Sequence, residues 1–225
     1  MCYHVAIQSG AQALSRRYKA TSKVPITWKG SPHLAGFSNP QVPLVVQSEE
    51  PVLELAQWGL VPPWLEPGKE GPKEATFGLN ARLETVDQKP WFKSSLGQRG
   101  ILPVDAFFEW QHNGKFRQPH RIQSLDGTLS LACIVQAHPG LITFAVLTRE
   151  ASPAMARIHN HGKRMPWMLP TQNIDAWLNP DLSWKEAAAL ASLPEDQWQA
   201  FPISGHGASE EAWTRPLNPN PGMLF

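Results

Sequence analysis

Two β-rich runs either side of a Pro-Gly turn constrain this chain more than any other stretch. Residues 129–136 and 141–148 flank His138-Pro139-Gly140. Apolar, β-branched runs broken by such a dipeptide argue for an antiparallel hairpin. Residues 43–47 and 52–58 read as two more strands, the second alternating apolar and polar. Residues 100–110 are strand-like, and 121–124 form a short candidate. Between them the chain reads as loop at 24–43, rich in Pro, Gly and Ser, and as a mobile loop at 65–76. Helices are expected over 9–19, with Leu14 and Tyr18 four apart, and from Ser152-Pro153 to Ile158, a cap followed by proline in the first turn. Two more are expected over 171–178 and 183–193, the latter opening with a Ser183-x-x-Glu186 capping box. The last 25 residues read as mainly irregular. The sum is an α+β domain, mainly antiparallel β, with peripheral helices.

At 225 residues the chain suffices for one well-buried core, so a single domain over 1–225 is expected. Hydrophobic content of 42% with ten Trp excludes a disordered chain. No window approaches the ~18 continuous apolar residues of a membrane-spanning helix, and no basic-then-apolar signal pattern opens the chain. Cys2 and Cys133 alone make no disulfide framework, and Cys133 lies in an apolar run suited to an inert buried thiol. A reducing, cytoplasmic setting fits, and a monomer is expected. Net charge is +1. It is unevenly spread: residues 1–164 hold 18 Lys+Arg against 12 Asp+Glu, and 165–225 hold 2 against 7. The basic excess lies in the part of the chain that carries the candidate chemistry, which suits a phosphate-bearing ligand.

That chemistry begins at Cys2. Removal of Met1, usual before a small second residue, would leave Cys2 with two adjacent nucleophiles. Its α-amine has an ordinary pKa of about 7.7–8.0 and its thiol about 8.5. Together they can capture an aldehyde, the amine as an imine and the thiol closing a five-membered thiazolidine. Asn80 and Arg82 are two apart, so an extended segment puts both on one face, where an amide and a guanidinium could hold a phosphate. A turn Asn and a surface Arg account for that segment equally well. Glu109 follows Phe107-Phe108 and precedes Trp110. Aromatic surroundings raise a carboxyl's pKa and fit it for proton transfer near neutrality, unless strand alternation leaves it exposed. His159 sits where a helix gives way to a strand, a good position for a general acid/base. His159-Asn160-His161 also suggests a metal pair, but no Cys or carboxylate accompanies it at ligand spacing, so no metal or cofactor is expected.

Taken in order, these segments resemble the SRAP (SOS response-associated peptidase) family of abasic site processing proteins. The resemblance runs from Met1-Cys2 through Trp58-Gly59-Leu60-Val61-Pro62-Pro63-Trp64, Asn80-Ala81-Arg82-Leu83-Glu84-Thr85, Phe108-Glu109-Trp110 and Leu147-Thr148 to Ile158-His159 and Arg164-Met165-Pro166. It implies a barrel-like domain that binds single-stranded DNA and crosslinks itself to abasic sites. Cys2 would be the nucleophile, with Asn80, Glu109 and His159 completing the active site. Arg82, Arg164, Thr148 and His4 would contact DNA, and Trp64 would lie in a turn wedged against it. The chain departs from the pattern in having Tyr3-His4 where Gly-Arg is frequent, Asp105-Ala106 where Asp-Gly is frequent, and a longer stretch, Asn160 to Lys163, before Arg164. Two other readings stay open: an N-terminal-nucleophile thiol peptidase or amidohydrolase with His159 as base, and a non-covalent damaged-DNA binding module.

Overall fold

The structure is a computed structural model that describes residues 2–67, 78–205, 207 and 209–217. In chain order its strands are β1 (His4–Ile7), β2 (Thr21–Ser22), β3 (Ser31–Ala35), β4 (Gln41–Val46), β5 (Val52–Trp58), β6 (Asn80–Arg82), β7 (Arg99–Val104), β8 (Ala106–Asn113), β9 (Phe116–Ser124), β10 (Leu129–His138), β11 (Leu141–Glu150), β12 (Arg164–Pro166), β13 (Met168–Leu169) and β14 (Trp198–Pro202). The helices are α1 (Ala11–Tyr18), α2 (Pro90–Lys93), α3 (Pro153–Ile158), α4 (Ile174–Leu178), α5 (Trp184–Ala187) and α6 (Glu210–Thr214). No helix among the described residues is long and apolar enough to cross a membrane.

The hairpin predicted from the Pro-Gly turn forms as β10–β11, in register from Cys133 opposite Val146 to His138 opposite Leu141. Gly140 takes the turn at φ 75, a left-handed conformation that costs a glycine little. From this hairpin the pairing runs β11-β10-β7-β4-β5 and then closes, because β5 also pairs with β11 in parallel through Gln57–Thr143 and Trp58–Phe144. The result is a closed five-stranded barrel, and closure removes the sheet edges. Its interior is filled by Leu44, Leu102, Leu131, Phe144 and Val146, all fully buried. Each such side chain contributes roughly 1.5–3 kcal/mol relative to exposure. The wall is tight at Gly100, where an added Cβ would lie 2.9 Å from both the Val45 carbonyl and the Val135 side chain.

A second, antiparallel sheet, ordered β14-β9-β8-β1-β3, packs its own aromatic cluster around Phe108, Phe201 and Trp213. Residues 100–110 were expected as one strand and instead supply one strand to each sheet. Asp105 is the break. Its backbone N–H donates to the Ala6 carbonyl at 2.9 Å. Its carboxylate accepts from the backbone N–H groups of Gln8 and Ser9 at 2.5 and 3.0 Å and from the Ser9 hydroxyl at 2.6 Å. A carboxylate inside an apolar run finds its donors at the end of β1, and the chain turns there.

Three other expectations change. The 24–43 loop contains β3 and the start of β4, and β3 is extended because β1 offers it a partner across Val5–Leu34. The capping box at Ser183 and Glu186 forms, but the helix ends at Ala187 instead of reaching 193, since the Leu193 N–H is taken by the Met168 carbonyl at 2.8 Å. The final 25 residues include the end of β14, paired along β9, and α6. Of the loop expected at 65–76, residues 68–76 lie outside the described residues.

Candidate active site

Four segments distant in sequence meet where the barrel abuts the second sheet. β6 runs parallel to β11, with Asn80 opposite Val146 and Arg82 opposite Thr148. That register turns Asn80 inward, where its Nδ2 donates to the Cys2 carbonyl at 2.8 Å. Its buried Oδ1 has no hydrogen-bond partner among the described residues, and so can still accept from an amine or a hydroxyl. Cys2 itself is fully buried in the barrel's cluster. Burial pushes its thiol well above the ordinary range, and the charge of Glu109 pushes it further the same way. The sequence expectation of a partly ionised thiol therefore does not hold in this environment.

Glu109 lies on β8, only 4% exposed, following the buried Phe107 and Phe108. Burial raises its carboxyl to about 7, where it can both take and give a proton near neutrality. The imidazole facing it comes from the end of α3. Ser152 caps that helix by accepting from the Met155 N–H, Pro153 occupies its first turn, and His159 ends it. His159 Nδ1 lies 2.7 Å from the Arg164 carbonyl oxygen, which can only accept, and 3.2 Å from the Arg164 N–H; the shorter contact assigns the hydrogen to Nδ1, which donates. Nε2 is left as the basic nitrogen, 3.8 Å from Glu109 Oε2. Burial lowers the His159 pKa. Near pH 7 a carboxyl raised toward neutrality thus faces a neutral imidazole, an arrangement suited to moving a proton on a group held between them.

A cavity of about 620 Å³ opens over this pair, with Arg82, Arg164, Trp110, His112 and His161 in its lining. Arg82 is exposed. Arg164 is tied down: its two terminal nitrogens bind both Glu84 oxygens at 2.9 and 2.8 Å, and one also donates to the Thr148 carbonyl at 2.7 Å. Burial alone would raise the Glu84 carboxyl, but the Arg164 bonds together with backbone N–H bonds, that of Glu150 among them, outweigh it and hold it below its ordinary value.

Thr148, expected to contact DNA, is fully buried, its hydroxyl directed at the Ala81 carbonyl at 3.4 Å. Inward-facing positions of a barrel strand have no surface to offer, so its part is to hold β6 and Arg164 in place. His4 does line the cavity, but its Nδ1 sits 2.9 Å from His33 Nε2 and its ring packs edge-on against Trp110. Burial lowers this imidazole to about 4, so it is uncharged at neutral pH and does not replace an arginine as a cation. Trp64 is 57% exposed in the turn after β5 and is not part of the cavity lining. His159 and His161 diverge, the first toward Glu109 and the second onto the ring of His112. Among the described residues no three His, Cys, Asp or Glu side chains group as metal ligands. Sequence reasoning missed Tyr3, His112 and Arg117, which also line the cavity. His112 and Arg117 are a cross-strand pair, an even step from Trp110 and an odd one from Glu109, so strand alternation counted from Glu109 does not point to them.

The family description that matches residues 1–206 is SOS response associated peptidase (SRAP). The chain belongs to the SRAP family. Among SRAP relatives, abasic site processing protein YoaM of Bacillus subtilis is 34% identical over 158 residues, 66% of each chain. Abasic site processing protein YedK of Escherichia coli is 29% identical over 157 residues, 65% of each. The matches thus span about two thirds of the length of these curated relatives. A solved structure of a Bacteroides thetaiotaomicron protein superposes with a TM-score of 0.86 at 26% identity, covering 96% of this chain and 100% of that one. This SRAP chain therefore shares its fold with that protein, and its relatives are proteins that process abasic sites.

Proposed function

We propose that this protein binds single-stranded DNA at an abasic site and, once Met1 is removed, joins it covalently through Cys2 as a thiazolidine. One observation carries the reading: Asn80 holds the Cys2 backbone at 2.8 Å while the Glu109–His159 pair stands beside it. The terminus is then fixed next to two proton carriers, a carboxyl raised to about 7 by burial and an imidazole that burial keeps neutral. The abasic sugar is mostly a closed hemiacetal. His159 Nε2 takes the proton of the anomeric hydroxyl, the bond from that carbon to the ring oxygen breaks as the carbonyl forms, and the proton is returned to the ring oxygen, leaving an aldehyde and a free hydroxyl. Glu109 takes a proton from the Cys2 ammonium, and the neutral amine adds to the aldehyde carbon. Loss of one water gives the imine. The Cys2 sulfur then adds to the same carbon while its proton passes to the imine nitrogen. Aldehyde and aminothiol give thiazolidine and water, and no oxidant or metal is consumed.

The buried, protonated thiol favours this order, amine first and sulfur second. The backbone cation at Arg82 favours a single strand without base-specific contacts. The test is incubation of the Met1-free protein with abasic single-stranded DNA, followed by denaturing electrophoresis. A slow-migrating covalent band is expected, absent with Cys2→Ala and absent when borohydride has reduced the DNA beforehand. A band that persists with Cys2→Ala would falsify the proposal.

A further inference from the structure

This inference rests on the reading above, that the cavity holds a DNA strand. Beyond Glu109 and His159 the cavity has a wall that the proposed chemistry does not use. It is made by His112 near the end of β8, by Arg117 directly opposite it on β9, and by His161 from the loop after α3. The rings of His112 and His161 lie nearly parallel, 4° apart with centroids 5.0 Å apart. The loop is clamped to β8 by the Asn160 side chain. Its Oδ1 accepts from the His112 N–H and its Nδ2 donates to the His112 carbonyl, each at 2.9 Å. At Gly162 an added Cβ would come within 2.8–2.9 Å of the His159 ring. Residues 160–163, the stretch longer than the family pattern, thus seat His159 and carry His161 to His112 at once. No carboxylate pairs with Arg117 among the described residues, whereas Arg164 is neutralised by Glu84. A guanidinium with no carboxylate partner among the described residues, beside two imidazoles that can each present an N–H, offers convergent donors to an anion.

We propose that His112, Arg117 and His161 form a phosphate clamp that holds the DNA strand beside the abasic nucleotide. Arg117 supplies the fixed charge and a two-pronged contact to phosphate oxygens, and the stacked imidazoles supply further donors. Arg82 and Arg117 would then grip the strand at two separate points of the cavity lining, with the reacting sugar held over Glu109 and His159.

The test uses a labelled intact 12-mer single strand without an abasic site, titrated with Met1-free protein from 50 to 200 mM salt. Arg117→Ala/His161→Ala is expected to bind on the order of 10-fold more weakly at low salt. Its log–log salt slope should be shallower by about 0.7, the value for one lost phosphate contact on a single strand. Arg117→Lys should keep the wild-type slope, which a misfolded variant would not. Equal affinity and slope in wild type and double variant would overturn the clamp, as would an Arg117→Lys slope that matches the double variant. Wild-type protein on abasic DNA is run in parallel. If it forms no adduct, the function reading falls; if it does and the slopes agree, only the clamp falls.

Discussion

Glu109 is the residue on which pH acts. Its carboxyl is raised from an ordinary 4.5 to about 7 by burial, so between those values the folded protein holds a proton that the unfolded chain has released. Folding stability from this group is therefore full below about pH 4.5 and is lost as pH rises through about 7. The loss is on the order of 3 kcal/mol at full ionisation. Glu109→Gln should flatten that fall, which urea unfolding at pH 5 and pH 8 will show, and should be the more stable protein at pH 8. The same substitution should slow crosslinking by about 10²–10⁴-fold. In the wild type the crosslinking rate should climb through about pH 7 as the carboxylate forms, and a rate flat from pH 5.5 to 8 would show that Glu109 is not the base. The aromatic neighbours announced this residue in the sequence. The thiol of Cys2 was misjudged, because its pKa depends on what packs over the terminus and not on any neighbour in the chain.

At the scale of elements, two short segments set the site. The loop from His159 to Arg164 is closed by Lys163 N–H donating to the His159 carbonyl at 2.8 Å and by the Arg164 carbonyl on His159 Nδ1. Gly162→Ala places a methyl against the imidazole. Because the loop is exposed there, melting temperature should change little, while the crosslinking rate should drop by about 10-fold or more through misplacement of the ring. The other segment is the β7–β8 break. Asp105→Ala removes an acceptor that holds Gln8 and Ser9, and charged hydrogen bonds of this kind contribute about 1.5–3 kcal/mol each. Thermal unfolding should show a loss of roughly 2–4 kcal/mol. The hairpin, α3 and its cap could be read from the sequence because turn and cap chemistry are local. The sheet switch at Asp105 could not, since its partners lie almost a hundred residues away.

For the molecule as a whole, barrel closure and active site share one seam. Trp58 ends β5, stacks on Phe144 of β11, and donates its indole N–H to the Leu79 carbonyl at 2.9 Å, directly before Asn80. Trp58→Phe keeps the aromatic packing in large part but removes one of the two hydrogen bonds to that carbonyl, the other coming from the Val146 N–H at 3.0 Å. A cost of about 0.5–1.5 kcal/mol is expected, together with a slower crosslinking rate as Asn80 loosens its hold on Cys2. An unchanged rate would mean that the seam and the site are independent. The α+β class with a mainly antiparallel sheet was legible from strand periodicity and turn dipeptides. The barrel was expected from the family resemblance and not from periodicity, because closure depends on a parallel β5–β11 contact that no local pattern encodes.

The sequence by itself determined the hairpin, the capped helix before His159, the family, and the short list of polar residues set among apolar ones. These are local matters of periodicity, caps and turns, and local energetics decide them. Only the tertiary structure decided that Thr148 faces inward, that Arg164 is spent on Glu84, that His4 is neutral, and that no carboxylate among the described residues pairs with Arg117. Charge state and exposure depend on what packs against a side chain from distant segments, and that exists only once the barrel has closed.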